Sequence, residues 1–436
     1  MGLSGPTSFN RPDQTIFIQK LMTERLYYTD SFLYEFDARV VEVRPPTALE
    51  PRTVLVLDRT AFYPTSGGQA FDTGWVASTT PATSNYKWQV AEVSEDEEGT
   101  VKHFLQNADS LTAGIEVHGT IDGDRRRDHI QQHSGQHVLS AAFIQLFNLP
   151  TLSFHMGDGY CSIDLQASQL SPEQVESAER LANEVILEDR PVSIRFVSQE
   201  EARSLGLRKI PPAEKEKLRL IDIRDFDLTA CGGTHVRATG QIGSILLRKT
   251  EKVRQGIRVE FVCGQRAVKT ARRDYTTLSE SAGLLSAHIW DLPQQVGKSL
   301  EETRNARKYG QQLLEDLAEQ YAVRMLEGAT KSDGFVLVLK VFPDRDLNFI
   351  RLLGQRLTRL DAKVVALLGA TSNQPSLVFA QSPGQPLDMD RLMKEAVATL
   401  GGRGGGSKDL AQGGLPDGNK VQILLEETAT KVLSSA

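Results

Sequence analysis

The period of the apolar positions changes along the chain, and each change marks a different kind of element. Between about Leu26 and Val117, apolar residues fall in short β-rich runs at 36–43, 53–57, 75–77 and 88–93, with Pro45-Pro46 and Gly67-Gly68 as turns. These runs predict a small β-barrel. From about Gly119 to Gly264 helix and strand periods mix. Residues 138–144 carry apolar side chains at helical spacing, and this helix should end near Leu149-Pro150. A strand pair is expected at 152–156 and 160–165 around Gly157-Asp158-Gly159. Ser171-Pro172-Glu173 then opens a helix that reaches about Glu188. Further strands are expected at 192–197, 242–248 and 258–263, and the charged stretch 201–219 should be partly helical, broken at Pro211-Pro212.

Residues 265–328 lose the β-branched runs and gain Ala, Leu, Gln, Glu and Arg. Val296, Leu300, Thr303, Arg307, Gly310, Leu314, Leu317 and Tyr321 form an imperfect heptad-like stripe. A helical hairpin is expected here, with Pro293 at the start of its second helix. The stripe suits a dimer seam and packing on its own domain equally well. Strand periods return at 335–341, 363–368 and 376–380, alternating with helices near 346–360, 388–400 and 416–434. Gly401 to Gly414 reads as a glycine-rich loop before the last helix, able to cradle phosphate or RNA. The expected fold is α+β in five parts: a disordered or extended start (1–25), a small β-barrel with a glycine loop (26–118), a mixed α/β domain (119–265), a helical connector (266–330) and a C-terminal α/β domain carrying the glycine-rich loop (331–436).

At 436 residues the chain has room for these parts. Its net charge of −6 argues weakly against a nucleic-acid partner, but Arg and Lys cluster at 125–127, 203–224 and 248–273, and local charge decides. Three cysteines, Cys161, Cys231 and Cys263, make no disulfide framework and point to a reducing, cytoplasmic setting. No leader pattern or membrane-length apolar run is present in the sequence.

Two short motifs carry the candidate chemistry. In the first, His133 and His137 lie one helical turn apart on one face. In the second, Cys231-Gly232-Gly233-Thr234-His235, the glycines make a tight loop. One thiolate and three imidazoles form a zinc set, although either motif alone is commonly an accident of a surface. Residues 60–69, ending in Gly67-Gly68-Gln69, read either as a turn with a packed aromatic pair or as a loop that lets backbone N–H groups and Gln69 approach a substrate. Cys161 and Cys263 sit in strand patterns and are expected in the core, while His129 and His155 are expected to be satisfied or at the surface.

Together these motifs resemble the editing region of alanyl-tRNA synthetase and its free-standing relatives, the AlaX proteins, in the long form. The likeness runs over nearly the whole chain from about residue 25. Residues 62–69 resemble the family's glycine loop, and Gly256-Ile257-Arg258-Val259-Glu260 its Gly-x-Arg strand. The helical pair and the loop 401–414 resemble the synthetase's C-terminal domain, associated there with tRNA binding and dimerisation. The resemblance implies a Zn²⁺ ion held by His133, His137, Cys231 and His235. It implies tRNA as partner, with Gly404, Gly405 and Lys408 in the glycine-rich loop as contacts, and a homodimer through the connector or the C-terminal domain. By their charge Arg125 to Arg127, Arg254, Arg258 and Arg266 could meet phosphates, although any one alone is more often solvated, and Arg125 and Arg258 are the chosen candidates. Nothing resembles the aminoacylation domain, so ATP binding is not expected. The implied activity is an aminoacyl-tRNA hydrolase, a carboxylic ester hydrolase that clears Ser-tRNA(Ala) in trans, with Gly-tRNA(Ala) as a second candidate substrate.

Such an enzyme has a physical reason to exist, because an alanine site rejects an added hydroxyl poorly. Four protein donors are the closed pattern of a structural zinc, whereas a hydrolytic zinc keeps one position open. Position 134 is also Ser, not the Glu that serves metalloproteases as base. Either a ligand gives way, or zinc orients the substrate and the tRNA's own hydroxyls activate water. The second route is favoured, since an aminoacyl ester hydrolyses readily. Gln136, Thr151 and Gln69 are the catalytic candidates, and Gln136 or Thr151 could hydrogen-bond a seryl hydroxyl. Thr151 is read equally well as a strand-entry residue satisfied by backbone. The rival functions are a deacylase of another misacylated tRNA and a non-catalytic, zinc-stabilised tRNA-binding module.

Overall fold

The computed structural model describes residues 23–79, 86–106, 108, 110–205, 207, 217–331, 334–372 and 374–434. The expectations for most of the start of the chain and for Pro211-Pro212 lie outside the described residues. The chain divides into two compact units, 1–278 and 279–436, with the division inside one helix.

In the first unit, six antiparallel strands close a barrel. They are Glu35–Arg44 (β1), Thr53–Leu57 (β2), Gly74–Ser78 (β3), Lys87–Glu95 (β4), Val101–Gln106 (β5) and Glu116–Ile121 (β6), in the order β1-β2-β5-β4-β3-β6. The expected runs are β1 to β4. The sequence did not give away β5 and β6, because their inward positions break the apolar alternation. In β5 the interior holds His103, whose Nδ1 donates to the Leu55 carbonyl at 3.1 Å while Nε2 accepts from the Thr60 hydroxyl at 2.8 Å. Burial holds this ring neutral, with its pKa pushed down to about 4. In β6 the interior holds Gly119, where a Cβ would stand 2.4 Å from the Phe36 ring.

The barrel runs directly into Gly123–Phe147 (α1), capped by the Asp122 side chain at its start and by left-handed Asn148 at its end. α1 packs with Pro172–Leu187 (α2), which starts on a capping box from Ser171 and Gln174. Both helices lie on a four-stranded sheet made of Thr151–Met156 (β7), Cys161–Leu165 (β8), Ile245–Val253 (β12) and Gly256–Cys263 (β13), in the order β12-β13-β8-β7. Phe143, Leu139, Ile163, Phe261, Val185, Cys161 and Cys263 share the core between them. Cys161 and Cys263 are therefore core residues, as expected. A smaller sheet of Val192–Ser198 (β9), Lys217–Ile223 (β10) and Asp227–Ala230 (β11) delivers the chain to Cys231. Gly264–Leu284 (α4) follows β13, with the short helix Gln199–Ser204 (α3) lying earlier, after β9.

The second unit begins its long helix, Leu292–Glu327 (α5), with Pro293 in the first turn. The stripe on α5 divides. Leu314 and Tyr321 pack with buried Ala318 and Ala322 on the unit's own core, whereas Leu300 is 57% exposed and Val296 43%. The sheet contains Val336–Phe342 (β14), Val364–Ala370 (β15), Ser376–Gln381 (β16), Arg403–Gly406 (β17) and Leu410–Gly414 (β18), with Thr330–Lys331 at one edge. β14 and β15 are parallel, and Leu347–Leu360 (α6) is the crossover between them. Met389–Ala398 (α7) and Val421–Ser434 (α8) contribute to the core on the opposite side from α6.

One expectation is corrected here. The glycine-rich segment 401–414 is not a loop at a helix start but a β-hairpin, with Gly404 opposite Gly413 and Gly405 opposite Gln412. Its glycines admit α7: a Cβ on Gly404 would lie 2.7 Å from the Met393 side chain, and one on Gly413 2.6 Å from its sulfur. Glycine's poor strand propensity hid a strand pair whose reason is close packing. Among the described residues no helix is long and apolar enough to cross a membrane.

Candidate metal centre

α1 carries His133 and His137 on one face, their rings stacked 5.2 Å apart. The loop after β11 brings Cys231 and His235 to the same place, with the His235 ring 4.7 Å from each of the others. The four donor atoms all lie within 4.8 Å of one another. The Cys231 Sγ is 3.2 Å from His133 Nε2 and 3.4 Å from His235 Nε2. A tetrahedral zinc with ordinary Zn–N and Zn–S bonds has edges of roughly 3.3–3.6 Å, so the donor set fits such an ion. Burial opposes ionising the Cys231 thiol, yet the three surrounding imidazoles outweigh it and hold the thiol well below its usual range. Burial lowers His235 to about 3, against the pull of the Cys231 sulfur, so this ring is neutral and able to ligate.

The metal loop is held by the barrel side of the unit. Gln69, fully buried, donates from Nε2 to the Thr234 hydroxyl at 2.9 Å and accepts the Thr234 N–H at 3.0 Å. The His235 N–H donates to Ser31 Oγ at 3.0 Å. Arg219 donates to the carbonyls of Cys231, Gly233 and Tyr28 at 2.6, 3.0 and 2.9 Å. Gly233 is required by closeness, since a Cβ there would stand 2.4 Å from the His133 ring. Beside the donor set, His137 Nδ1 lies 3.6 Å from the Asp227 carboxylate and His235 Nδ1 3.5 Å from Ser134 Oγ. Ser134 Oγ also accepts the Val236 N–H at 3.0 Å.

Gln136 and Ser140 continue the histidine stripe along α1. Gln136 Nε2 donates to Ser140 Oγ at 2.9 Å, and Ser140 Oγ lies 2.7 Å from Thr151 Oγ1. An amide N–H can only donate, so Ser140 can pass its own proton to Thr151 and leave the Thr151 hydroxyl hydrogen for a third acceptor. Two of the three catalytic candidates are thus joined through a residue the sequence did not single out. The third, Gln69, is placed otherwise: its amide is spent on Thr234 inside the protein.

The basic candidates are mostly engaged. Arg126 is fully buried, pairs with Asp72 at 2.5 Å, and donates to the Ser31 and Ala61 carbonyls, so it ties α1 to the barrel and does not meet solvent. Arg125 donates to the Phe71 carbonyl at 2.9 Å. Arg258 forms a two-bond pair with Asp164 at 2.8 and 3.0 Å, and Arg266 pairs with Asp128. His155 is exposed, as expected, but His129 is buried with no hydrogen bond at Nδ1, and burial pushes it to about 4. Gly404, Gly405 and Lys408 lie in the second unit, on the hairpin. Ser31, Arg219 and Ser140 carried no sequence signal, because their roles depend on partners far along the chain.

Three protein-family models match. "Threonyl and Alanyl tRNA synthetase second additional domain" covers residues 218–259, which hold Cys231 and His235. "tRNA synthetases class II (A)" covers 19–125, the span of the barrel, and "DHHA1 domain" covers 335–434, the C-terminal sheet and its helices. The "Alanyl-tRNA editing protein AlaX-L" of Pyrococcus horikoshii is 30% identical over 395 residues, covering 90% of this chain and 94% of that protein. The chain belongs to the alanyl-tRNA editing protein family. Alanine–tRNA ligases are similar to it as well. The ligase of Archaeoglobus fulgidus is 33% identical over 406 residues, 90% of this chain and 42% of the ligase. That of Pyrococcus abyssi is 29% identical over 93% of this chain and 43% of the ligase. The editing-family chain therefore spans less than half the length of these ligases. Among solved structures, the C-Ala domain of Aquifex aeolicus alanyl-tRNA synthetase is 26% identical, covering 23% of this chain and 96% of that one, with a TM-score of 0.21.

Proposed function

We propose that the protein is a trans-editing deacylase that hydrolyses the ester of Ser-tRNA(Ala). The observation that carries this reading is the convergence of His133, His137, Cys231 and His235 beside the Gln136–Ser140–Thr151 hydrogen-bond chain, in a member of the alanyl-tRNA editing family. His133, His137, Cys231 and His235 would hold a zinc ion, which when bound would supply a fixed positive centre beside the aminoacyl end. Water adds to the seryl carbonyl carbon, the bond to the ribose oxygen breaks, and that oxygen takes the proton, giving serine and free tRNA. Position 134 holds Ser, whose hydroxyl accepts the Val236 N–H, and the Asp227 carboxylate faces His137 at 3.6 Å, so in this reading the tRNA's own hydroxyls activate the water.

Thr151, as an outward donor, meets the seryl hydroxyl, and Gln136 and Ser140 hold it in that sense. Alanine has no hydroxyl to match it, so correctly charged tRNA is spared. Gln69 serves by holding the metal loop. Arg125 and Arg258 edge the first unit's RNA surface, and Gly404, Gly405 and Lys408 form a contact on the second. A second copy of the chain docks on the exposed N-terminal half of α5. The reduced thiol that the metal site needs suits a cytoplasmic setting.

The test is a deacylation panel of Ser-tRNA(Ala), Gly-tRNA(Ala), Ala-tRNA(Ala) and Ser-tRNA(Thr). Loss of serine from the first with Ala-tRNA(Ala) intact is the expected result. Faster loss from Ser-tRNA(Thr) makes the protein a deacylase of another tRNA. No hydrolysis of any, with tRNA still bound, makes it a binding module.

A further inference from the structure

Four residues in register cross the four-stranded sheet in one row: Thr151 on β7, Leu165 on β8, Ile257 on β13 and Lys252 on β12. At the far end of this row Lys252 and Arg254 line an open cleft of about 370 Å³ with Gln166, Ser168 and Gln255. No carboxylate lines it. Other cations of this sheet are neutralised: Arg248 by Asp274, Lys249 by Glu251 and Arg258 by Asp164. Lys252 and Arg254 have no carboxylate partner among the described residues. Two unneutralised cations and three neutral hydrogen-bonding side chains around one hollow make a site for an anion.

The cleft is tied to the reacting end of the site. The Gln166 N–H donates to the Pro150 carbonyl at 2.9 Å, one residue before Thr151. Three strand spacings separate Lys252 from Thr151, roughly 14 Å. A stacked strand of nucleic acid advances about 3.4 Å per phosphate, and an unstacked one more. An RNA 3′ end with its last ribose ester at Thr151 thus lays a phosphate over the cleft within about four nucleotides. We infer that the Lys252–Arg254 cleft binds a backbone phosphate of the substrate's single-stranded 3′ end, two to four nucleotides before the esterified one. This rests on the deacylase reading.

The experiment compares two substrates, full-length Ser-tRNA(Ala) and 3′-O-seryl-adenosine, which has the ester but no phosphate. For the double variant Lys252→Ala, Arg254→Ala, KM for the tRNA should rise about tenfold with kcat unchanged, and the slope of log KM against log salt should fall by between one and two. Turnover of seryl-adenosine and metal content should stay at wild-type values. Equal losses on both substrates, or an unchanged KM and salt slope for the tRNA, overturn the inference. If the wild type hydrolyses neither substrate, the deacylase reading fails on its own, and the cleft is judged by binding of uncharged RNA with a four-nucleotide 3′ overhang against a flush end. The double variant should then lose the preference for the overhang, and a wild type without that preference contradicts the inference.

Discussion

Arg126 and Gln69 show how much of the metal site depends on residues that never reach the metal. The buried Arg126–Asp72 pair fixes the N-terminal half of α1 against the barrel, and removing one partner leaves a charge stranded at 0% exposure. Arg126→Leu is expected to cost about 3–5 kcal/mol in a denaturant titration, and a loss below about 1 kcal/mol contradicts the role given to the pair. Gln69→Ala deletes both bonds to Thr234 and should speed loss of metal to a chelator while the far-UV spectrum stays unchanged. His103 makes a pH prediction. Its pKa is about 4 in the fold and about 6.5 in the unfolded chain, so between these values only the unfolded chain binds the proton. Its contribution is complete above about pH 6.5 and falls by up to about 1.4 kcal/mol per pH unit as pH drops toward 4. His103→Gln should flatten that acid limb relative to wild type in urea titrations at pH 7, 6 and 5; equal slopes contradict it.

At the scale of elements, the sequence made the four donors legible because each motif is local: five residues on a helix and five in a loop. The strands that bear their own apolar alternation, β1 to β4, were legible for the same reason. What stayed hidden needs a distant partner. β5 and β6 place a histidine and a glycine where the pattern asks for apolar residues, and only the Leu55 carbonyl, the Thr60 hydroxyl and the Phe36 ring explain them. Glycine signals a loop in isolation and so hides the hairpin of β17 and β18, where Met393 and Val397 of α7 need those positions bare. Gly413→Val should therefore destabilise the second unit by roughly 1–3 kcal/mol, the usual cost of overpacking, measured as a lower melting temperature. Gly135 on α1 has a similar reason, since a Cβ there would meet the Cys263 sulfur at 2.2 Å.

For the whole molecule, the α5 stripe divides: Leu314 and Tyr321 pack on their own unit, whereas Val296 and Leu300 are exposed, and a dimer seam there is a prediction. Sedimentation equilibrium should find two chains, and Leu300→Glu should give one; a wild-type monomer removes the dimer from the account. Two segments about a hundred residues apart in the chain, around His133 and Cys231, come together to form the donor set for one ion. The most direct measurement is metal content per chain by elemental analysis after dialysis against a weak chelator, for wild type and Cys231→Ala. One zinc per wild-type chain and well under one in the variant is the expected result. Stoichiometric zinc in Cys231→Ala, or none in the wild type, contradicts it.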